Sequence, residues 1–274
     1  MKKIAILDDG INECMEVDYK IQKRRNYYDE ICHGSLVVAT IEKYCHEKKM
    51  YYIYDVYNTK KQEKEIIKAL WKCLLEQIDV IVMSFTIPIN IYYLPIALLL
   101  SILSKHNIVI VAADNNSKEK KGYPAFSKYT IGVGNAESKL MEFGKRGIQV
   151  IENVKPEFVQ CGENYCLFSG TSKANAIVAA RVVKSELNIR QKALIKTIHK
   201  QNDKNETIIK KCKKVLITEK NINFFSGDYD IHTIEKMVLL LLKEYNMEKF
   251  CLEMEFEDIE SIETVANFIV RKNE

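Results

Sequence analysis

The sequence predicts a doubly wound α/β domain followed by a small helical module. Over the first two hundred residues, apolar runs of strand length (near 3–7, 51–56, 79–84, 108–113 and 130–134) alternate with helix-period segments (near 33–48, 61–76 and 92–105). At 274 residues and 47% hydrophobic composition the chain can bury a sizeable core. Beyond a polar stretch at 201–206 the pattern is helical only, which sets the expected boundary: an α/β domain over 1–203 and a helical module over 204–274.

Taken in order, Lys3-Ile4-Ala5-Ile6-Leu7 is an apolar run of the kind that forms a buried parallel strand, and it ends in Asp8-Asp9-Gly10-Ile11, where a turn must follow. Asp8 thus sits at a strand's carboxyl end, where open α/β sheets place functional side chains; taken alone, it is more simply an ordinary strand-end carboxylate capping the turn. His33-Gly34-Ser35-Leu36-Val37-Val38-Ala39-Thr40-Ile41 opens the first helix, a place where a lone histidine is ordinarily an exposed cap. Asp79-Val80-Ile81-Val82-Met83-Ser84-Phe85 and Ile108-Val109-Ile110-Val111-Ala112-Ala113-Asp114-Asn115 are two further buried strands. Between them Leu94 to Leu103 is apolar but too short to span a bilayer, and is expected as a buried helix. Ser172, in Phe168-Ser169-Gly170-Thr171-Ser172-Lys173-Ala174, opens another apolar helix, and Asn188 to Gln201 reads as a helix closing the domain.

These blocks, in this order, resemble the subtilisin-like serine proteases, the subtilases, over residues 3 to about 186. Gly-Thr-Ser-x-Ala is how that family presents its nucleophile; the resemblance assigns Ser172 that role, His33 the general base and Asp8 the orienting acid, with Asp9 in the family's hydroxyl position. Asn115 matches the asparagine whose amide donates to the oxyanion, together with the Ser172 backbone N–H at a helix start. Ser84, Phe85 and Thr86 match the segment that takes the substrate as an added strand, and Ala112, Ala113 and Asp114 the wall of the pocket before the scissile bond. Tyr123-Pro124-Ala125 through Gly132-Val133-Gly134 is similar to a further family run that carries no chemistry. Such chemistry calls for neither a metal nor an organic cofactor, and no loop of clustered carboxylates suggests calcium.

Several positions depart from the family. Leu36 replaces a second histidine and Ala39 a glycine, Ala176 stands in place of proline after the nucleophile, Ile177 replaces histidine, and Thr86 replaces glycine before an apolar, aromatic loop. The Ala-Pro-Gly turn usual after the strand near 150 is also missing. Asp114 stands where glycine is usual; a carboxylate there favours Lys or Arg before the cut, unless it turns to solvent or caps a backbone group.

A formal net charge of +4 with Lys and Glu intermixed gives no basis for nucleic-acid binding, and Lys118-Glu119-Lys120-Lys121 reads as a solvated loop. Eight cysteines (14, 32, 45, 73, 161, 166, 212, 251) form no Cys-x-x-Cys pair. The candidate acid is reached by residue 8, which leaves no room for a signal peptide or prodomain. Together these point to a reducing cytoplasm and no membrane segment. Cys32 adjoins His33, so thiol reagents are expected to inhibit sterically, if at all.

The region 228–272 resembles the second half of an acyl carrier protein, chiefly in Phe256-Glu257-Asp258-Ile259-Glu260-Ser261-Ile262-Glu263-Thr264-Val265. Counting back from Tyr245 puts Asp230-Ile231-His232 where carriers have Asp-Ser-Leu; Ile231 cannot take phosphopantetheine, so a carrier's chemistry is absent. What remains is a helical module that docks a partner protein or leader peptide, or merely packs. Three readings of the whole follow: a cytoplasmic serine endopeptidase processing a ribosomally made peptide, a catalytically silent peptide-binding scaffold, or a protease whose C-terminal module blocks its groove.

Overall fold

In the computed structural model the described residues are 1–12, 15, 17–21, 31–57, 62–88, 91–115, 123–135, 148–152, 154–184, 212–213, 215–216, 222–224, 229–254 and 258–273. The expected helix 188–201, the boundary at 203/204, the loop 118–121 and Cys14 lie outside them. Strands β1 (Lys2–Asp8), β2 (Tyr19–Ile21), β3 (Lys49–Asp55), β4 (Val80–Met83), β5 (Val109–Ala113), β6 (Ile131–Asn135) and β7 (Ile148–Glu152) make one sheet in the order β2-β3-β1-β4-β5-β6-β7. All neighbours are parallel, with Ile6 of β1 opposite Ile53 on one side and Val82 on the other. Central strands covered on both faces have no polar side, which is why they read as unbroken apolar runs.

Helices α2 (Gln62–Leu75) and α3 (Tyr93–Lys105) share one face of the sheet. Each buries residues at i, i+3, i+4 and i+7, Ile66, Ala69, Leu70 and Cys73 on α2 and Ile96, Leu99, Leu100 and Leu103 on α3, against Ala5, Leu7, Ile81 and Ala112. The apolar run expected as a buried helix is buried on one side only: Leu94 is 74% and Leu98 63% exposed. Helices α1 (His33–Tyr44) and α4 (Gly170–Val183) lie outside that cluster; they pack on each other, and α4 also packs on β4, β5, β6 and β7. Helix α1 ends four residues short of the expected 48, because Lys49 is turned inward and its ammonium takes up the carbonyls of Cys45 and Glu47 just past the helix.

The chain divides into two compact units. The first comprises Met1–Val154, Cys161–Glu163 and Ser169–Lys192, and the second Lys155–Gln160, Asn164–Phe168 and Ala193–Glu274. The second unit therefore takes in most of a hairpin, β8 (Glu157–Cys161) and β9 (Asn164–Phe168), that lies in sequence just before α4. With it come α5 (Ile231–Lys243), a 3-10 turn (Glu248–Glu253) and α6 (Ile262–Asn273). Phe158 and Leu167 of the hairpin share a core with Phe224, Val238, Leu241 and Phe268. Asp230, the residue reached by counting back from Tyr245, caps α5 by accepting the N–H groups of His232 and Thr233 at 3.0 Å each. Among the described residues no helix is long and apolar enough to cross a membrane.

Candidate active site

A crevice forms where strand order reverses in an open parallel sheet, and here the reversal flanks β1, which leads toward β3 on one side and borders β4 on the other. The carboxyl ends of β1, β4 and β5 therefore bring Asp8, Ser84 and the pair Asp114–Asn115 to one end of the sheet. Asp8 is 1% exposed, and both of its oxygens lie 2.9 Å from Nδ1 of His33, so the carboxylate holds the ring by that nitrogen and leaves the other for chemistry.

The placement of His33 has a backbone cause. A helix leaves its first N–H groups without intrahelical partners, and α1 has no cap of its own at Cys32. The turn after β1 supplies the acceptors. One Asp9 oxygen accepts the His33 N–H at 3.0 Å and the other accepts the Gly34 N–H at 2.9 Å. Asn12 Oδ1 accepts the Cys32 N–H and the Ser35 hydroxyl at 2.8 and 2.7 Å. Gly34 is obligatory at this junction, since a Cβ there would come within 2.1 Å of the Gly10 carbonyl oxygen.

Two carboxylates beside one imidazole set the electrostatics. Burial works against the imidazolium, but the Asp8 charge and hydrogen bond, with the Asp9 charge, outweigh it, and His33 titrates above the ordinary histidine value of 6.5. Burial and then the Asp8 charge lift the Asp9 carboxyl above the usual aspartate range, against the pull of its two amide partners. Tyr57, unremarked in the sequence, is half-exposed with its ring edge-on to Phe85; burial first, then Asp8 and Asp9, push its phenol well up.

The nucleophile candidate stands on the first turn of α4. Gly170, at φ 79°, adopts the left-handed backbone that turns the chain into the helix. The Ser172 hydroxyl donates to the Ser84 carbonyl at 3.5 Å. One turn along, Asn175 is 0% exposed; its amide donates to the Ser84 hydroxyl at 3.1 Å and the Met83 carbonyl at 3.3 Å, stapling the helix to the end of β4. Sequence reading missed Asn175, and the only available signal was a polar residue on an otherwise apolar helix face.

The remaining expected residues fall as follows. β4 is paired on both sides, so an added substrate strand can meet only the backbone beyond it, at Ser84, Phe85 and Thr86. One step further, the Ile87 N–H is already bonded to the Tyr123 carbonyl. Ala112 and Ala113 are buried, Asn115 is half-buried two residues past β5, and Asp114 is 3% exposed, so its side chain is not in solvent. The seven described cysteines are buried thiols, and among the described residues no cluster of His, Cys, Asp and Glu fits a metal ion.

The family model for peptidase S8, the Subtilase family, matches residues 2–206. No curated protein sequence matches the chain. The fold is similar to a mutant of the protease domain of PatA, at 16% identity over 68% of this chain and 82% of that one, TM-score 0.51. It is also similar to the epidermin leader peptide processing serine protease of Staphylococcus aureus, at 15% over 66% and 64%, TM-score 0.52. A lanthipeptide protease aligns at 16% over 65% and 71%, TM-score 0.50. At such identities the likeness speaks for the fold.

Three outcomes are expected. The acid limb of kcat/KM against pH lies above 6.5, and Asp9→Asn moves it downward by removing one of the charges that favour the imidazolium. The same shift stabilises the fold fully below the unfolded value of 6.5 and is lost as pH rises through the folded-state value, so activity appears as this stabilisation fades. Gly34→Ala, which sets a methyl against backbone, lowers stability by about 1–3 kcal/mol in urea unfolding. Asn175→Ala costs about 1–3 kcal/mol, and the isosteric Asn175→Asp costs more, because it turns a buried acceptor on the Met83 carbonyl.

Proposed function

The chain belongs to the subtilase family of serine peptidases, and from that premise we propose that it is an endopeptidase in which Asp8, His33 and Ser172 form the triad and Asn115 the oxyanion donor. The observation that carries the assignment is the contact of the Asp8 carboxylate with Nδ1 of His33 at 2.9 Å, on a helix that packs against the one bearing Ser172.

In the proposed reaction the Ser172 hydroxyl leaves the Ser84 carbonyl, His33 takes its proton, and the oxygen attacks a peptide carbonyl. Asp8 keeps the Nδ1 proton in place and stabilises the imidazolium without being protonated itself. Negative charge on the tetrahedral oxygen is met by the Asn115 amide and the Ser172 N–H, each donor of this kind contributing about 3 kcal/mol. Collapse breaks the C–N bond as His33 protonates the leaving amine. Water, deprotonated by the same ring, then hydrolyses the acyl-enzyme and restores Ser172.

For substrate we propose the leader of a ribosomally made peptide, bound as an extended strand along Ser84, Phe85 and Thr86, in a reducing cytoplasm that suits the buried thiols. Support comes from the company the fold keeps, which includes a protease named for processing the epidermin leader peptide. Asp114, buried beyond Ala112 and Ala113, is assigned to the pocket before the scissile bond, where its carboxylate favours Lys or Arg.

The test combines two readouts on purified protein. A fluorophosphonate labels Ser172, and Ser172→Ala abolishes labelling and lowers turnover by roughly 10⁴–10⁶-fold. A diverse peptide pool with cuts mapped by mass spectrometry shows cleavage after Lys or Arg; cleavage after apolar residues overturns the role of Asp114. Peptide affinity without Ser172-dependent cleavage overturns the protease reading in favour of a silent binder.

A further inference from the structure

We propose that the groove between α2 and α3 is a docking surface for an acidic, amphipathic helix in the peptide substrate, upstream of the bond that is cut; the inference rests on the peptidase reading above. It starts from five large apolar side chains that the fold leaves in solvent. Trp71 and Leu75 on α2 are 51% and 66% exposed, and Ile91, Leu94 and Leu98, on or just before α3, are 82%, 74% and 63% exposed. A single exposed leucine is ordinary, whereas such a group on two adjoining helices marks an interaction surface.

The helix period brings these residues together. On α2 the partly buried Ile67 and Leu74 mark the flank turned to α3, and Trp71 lies on that same flank, further out from the sheet. On α3 the Tyr93 flank is taken by the Tyr123 ring at 4.7 Å, so the opposite flank, which carries Leu98 and Ile102, is the one turned to α2. Trp71 and Leu98 are therefore the two walls of one groove, continued by Leu75 toward one end and by Leu94 and Ile91 toward the other. The strands that follow the helices start level, with Val80 of β4 opposite Val109 of β5, so α2 and α3 run side by side. The 13 residues of α3 give the groove a length of about 20 Å.

Two features choose the occupant. Helices keep their backbone N–H and C=O groups to themselves, so the groove offers side chains and no open strand edge; a guest must satisfy its own backbone, which a helix with an apolar stripe does. The charge along the groove is one-sided. Lys64, Lys68 and Lys72 are exposed at i, i+4 and i+8 on the outward face of α2, while α3 has no acidic residue and ends in Lys105. Of the acids near α2, Glu63 stands in its first turn, and Glu65 and Glu76 lie on the flank away from α3. Glu65 holds Lys68 at 2.8 Å, an exposed pair of a kind that contributes little and gives way readily. Acidic flanks on the guest complement this bank of lysines, whereas a second copy of the chain would set lysine against lysine.

The groove also opens where the substrate is expected. α2 and α3 each run from the carboxyl end of one strand back to the amino end of the next, so their first turns lie at the edge of the sheet that holds Asp8 and Ser84. With the cut at Ser172 beside Ser84, the residues before it extend along Phe85 and Thr86, and the same stretch of the protein leads on to Ile91 at the mouth of the groove. A leader thus meets the protease twice, as a strand at the cut and as a helix in the groove, and the tether raises its effective concentration at both.

The experiment uses the full-length chain and three synthetic substrates that share one sequence from the cleavage map: that sequence alone, the sequence preceded by a Gly-Ser linker and an amphipathic helix with a leucine stripe and glutamate flanks, and the same with lysine in place of glutamate. The acidic helix is expected to lower KM by roughly 10–100-fold at unchanged kcat, a gain that shrinks as salt rises, and the lysine helix to gain nothing. Leu98→Glu, at a side chain already in solvent, abolishes the gain while the melting temperature and the kinetics on the bare sequence stay at wild-type values. Lys68→Glu combined with Lys72→Glu moves the gain from the acidic helix to the lysine helix. Anisotropy of the fluorescently tagged acidic helix, without the cleavage sequence, gives the same ranking of variants independently of turnover.

Equal KM for the three substrates overturns the proposal, as does a gain that survives Leu98→Glu or equal service by the lysine helix. A wild-type dimer in sedimentation that Leu98→Glu dissociates also overturns it, because a second copy then fills the groove. Should Leu98→Glu fail to fold, the double lysine variant decides. Wild-type protein that does not label with fluorophosphonate at Ser172 overturns the protease reading itself, whereas normal labelling with equal KM values overturns only this inference.

Discussion

Everything at the catalytic end of the sheet hangs on the amino end of α1 being capped from a distance. The helix brings no capping side chain of its own, so Cys32, His33 and Gly34 turn their N–H groups to Asn12 and Asp9, in the turn that follows β1. Three physical demands are met at once. The orphan amides find acceptors, the backbone of His33 is fixed relative to β1, and the Asp8 carboxylate at the end of that strand lies in reach of Nδ1. The cost is electrostatic: two adjacent carboxylates repel each other while partly buried, which raises Asp9 and is offset by the amides and the imidazolium.

A second junction, at the end of β4, does for the serine what the first does for the histidine. β4 is a central strand with no free edge, so its backbone beyond Met83 is the first that can turn to other partners. Asn175 takes the Met83 carbonyl and the Ser84 hydroxyl, and Ser172 takes the Ser84 carbonyl. The helix carrying Ser172, the proposed nucleophile, and the segment assigned to bind substrate are thus one hydrogen-bonded unit, and a shift of either displaces the other.

Much of this was legible because parallel strands covered on both faces leave unbroken apolar runs, one of which ends at Asp8, and because His33 and Ser172 each stand at the start of an apolar helix. Other features depend on partners remote in sequence. Leu94 and Leu98 are as apolar as Leu99 and Leu100, and only the packing of α3 decides which pair meets the sheet. The capping role of Asp9 was invisible, since its amides lie 24 and 25 residues away. So was the hairpin β8–β9, whose apolar residues are covered by helices that begin some 60 residues later. Topology hid one thing more. The steps from β2 to β3 and from β4 to β5 cross the sheet in the same direction, yet α1 and α3 lie on opposite faces, so the two crossovers differ in hand. Parallel crossovers are almost always right-handed, and a reading by that rule would place α1 beside α3 and separate His33 from the helix of Ser172.

In the proposed triad, the behaviour of the base follows from the charge around the histidine. A ring flanked by Asp8 and Asp9 holds its second proton more firmly than an ordinary imidazole, and in that form its outer nitrogen is a donor. The Ser172 hydroxyl donates to the Ser84 carbonyl at 3.5 Å, and in the proposed reaction it must leave that acceptor for the imidazole. Raising the pH frees the imidazole to accept. A base made stronger by its neighbours takes the serine proton more readily once neutral, but is neutral in fewer molecules at a given pH. In the proposed triad the second carboxylate therefore trades availability of the base for strength, while its two oxygens stay committed to the N–H groups of His33 and Gly34.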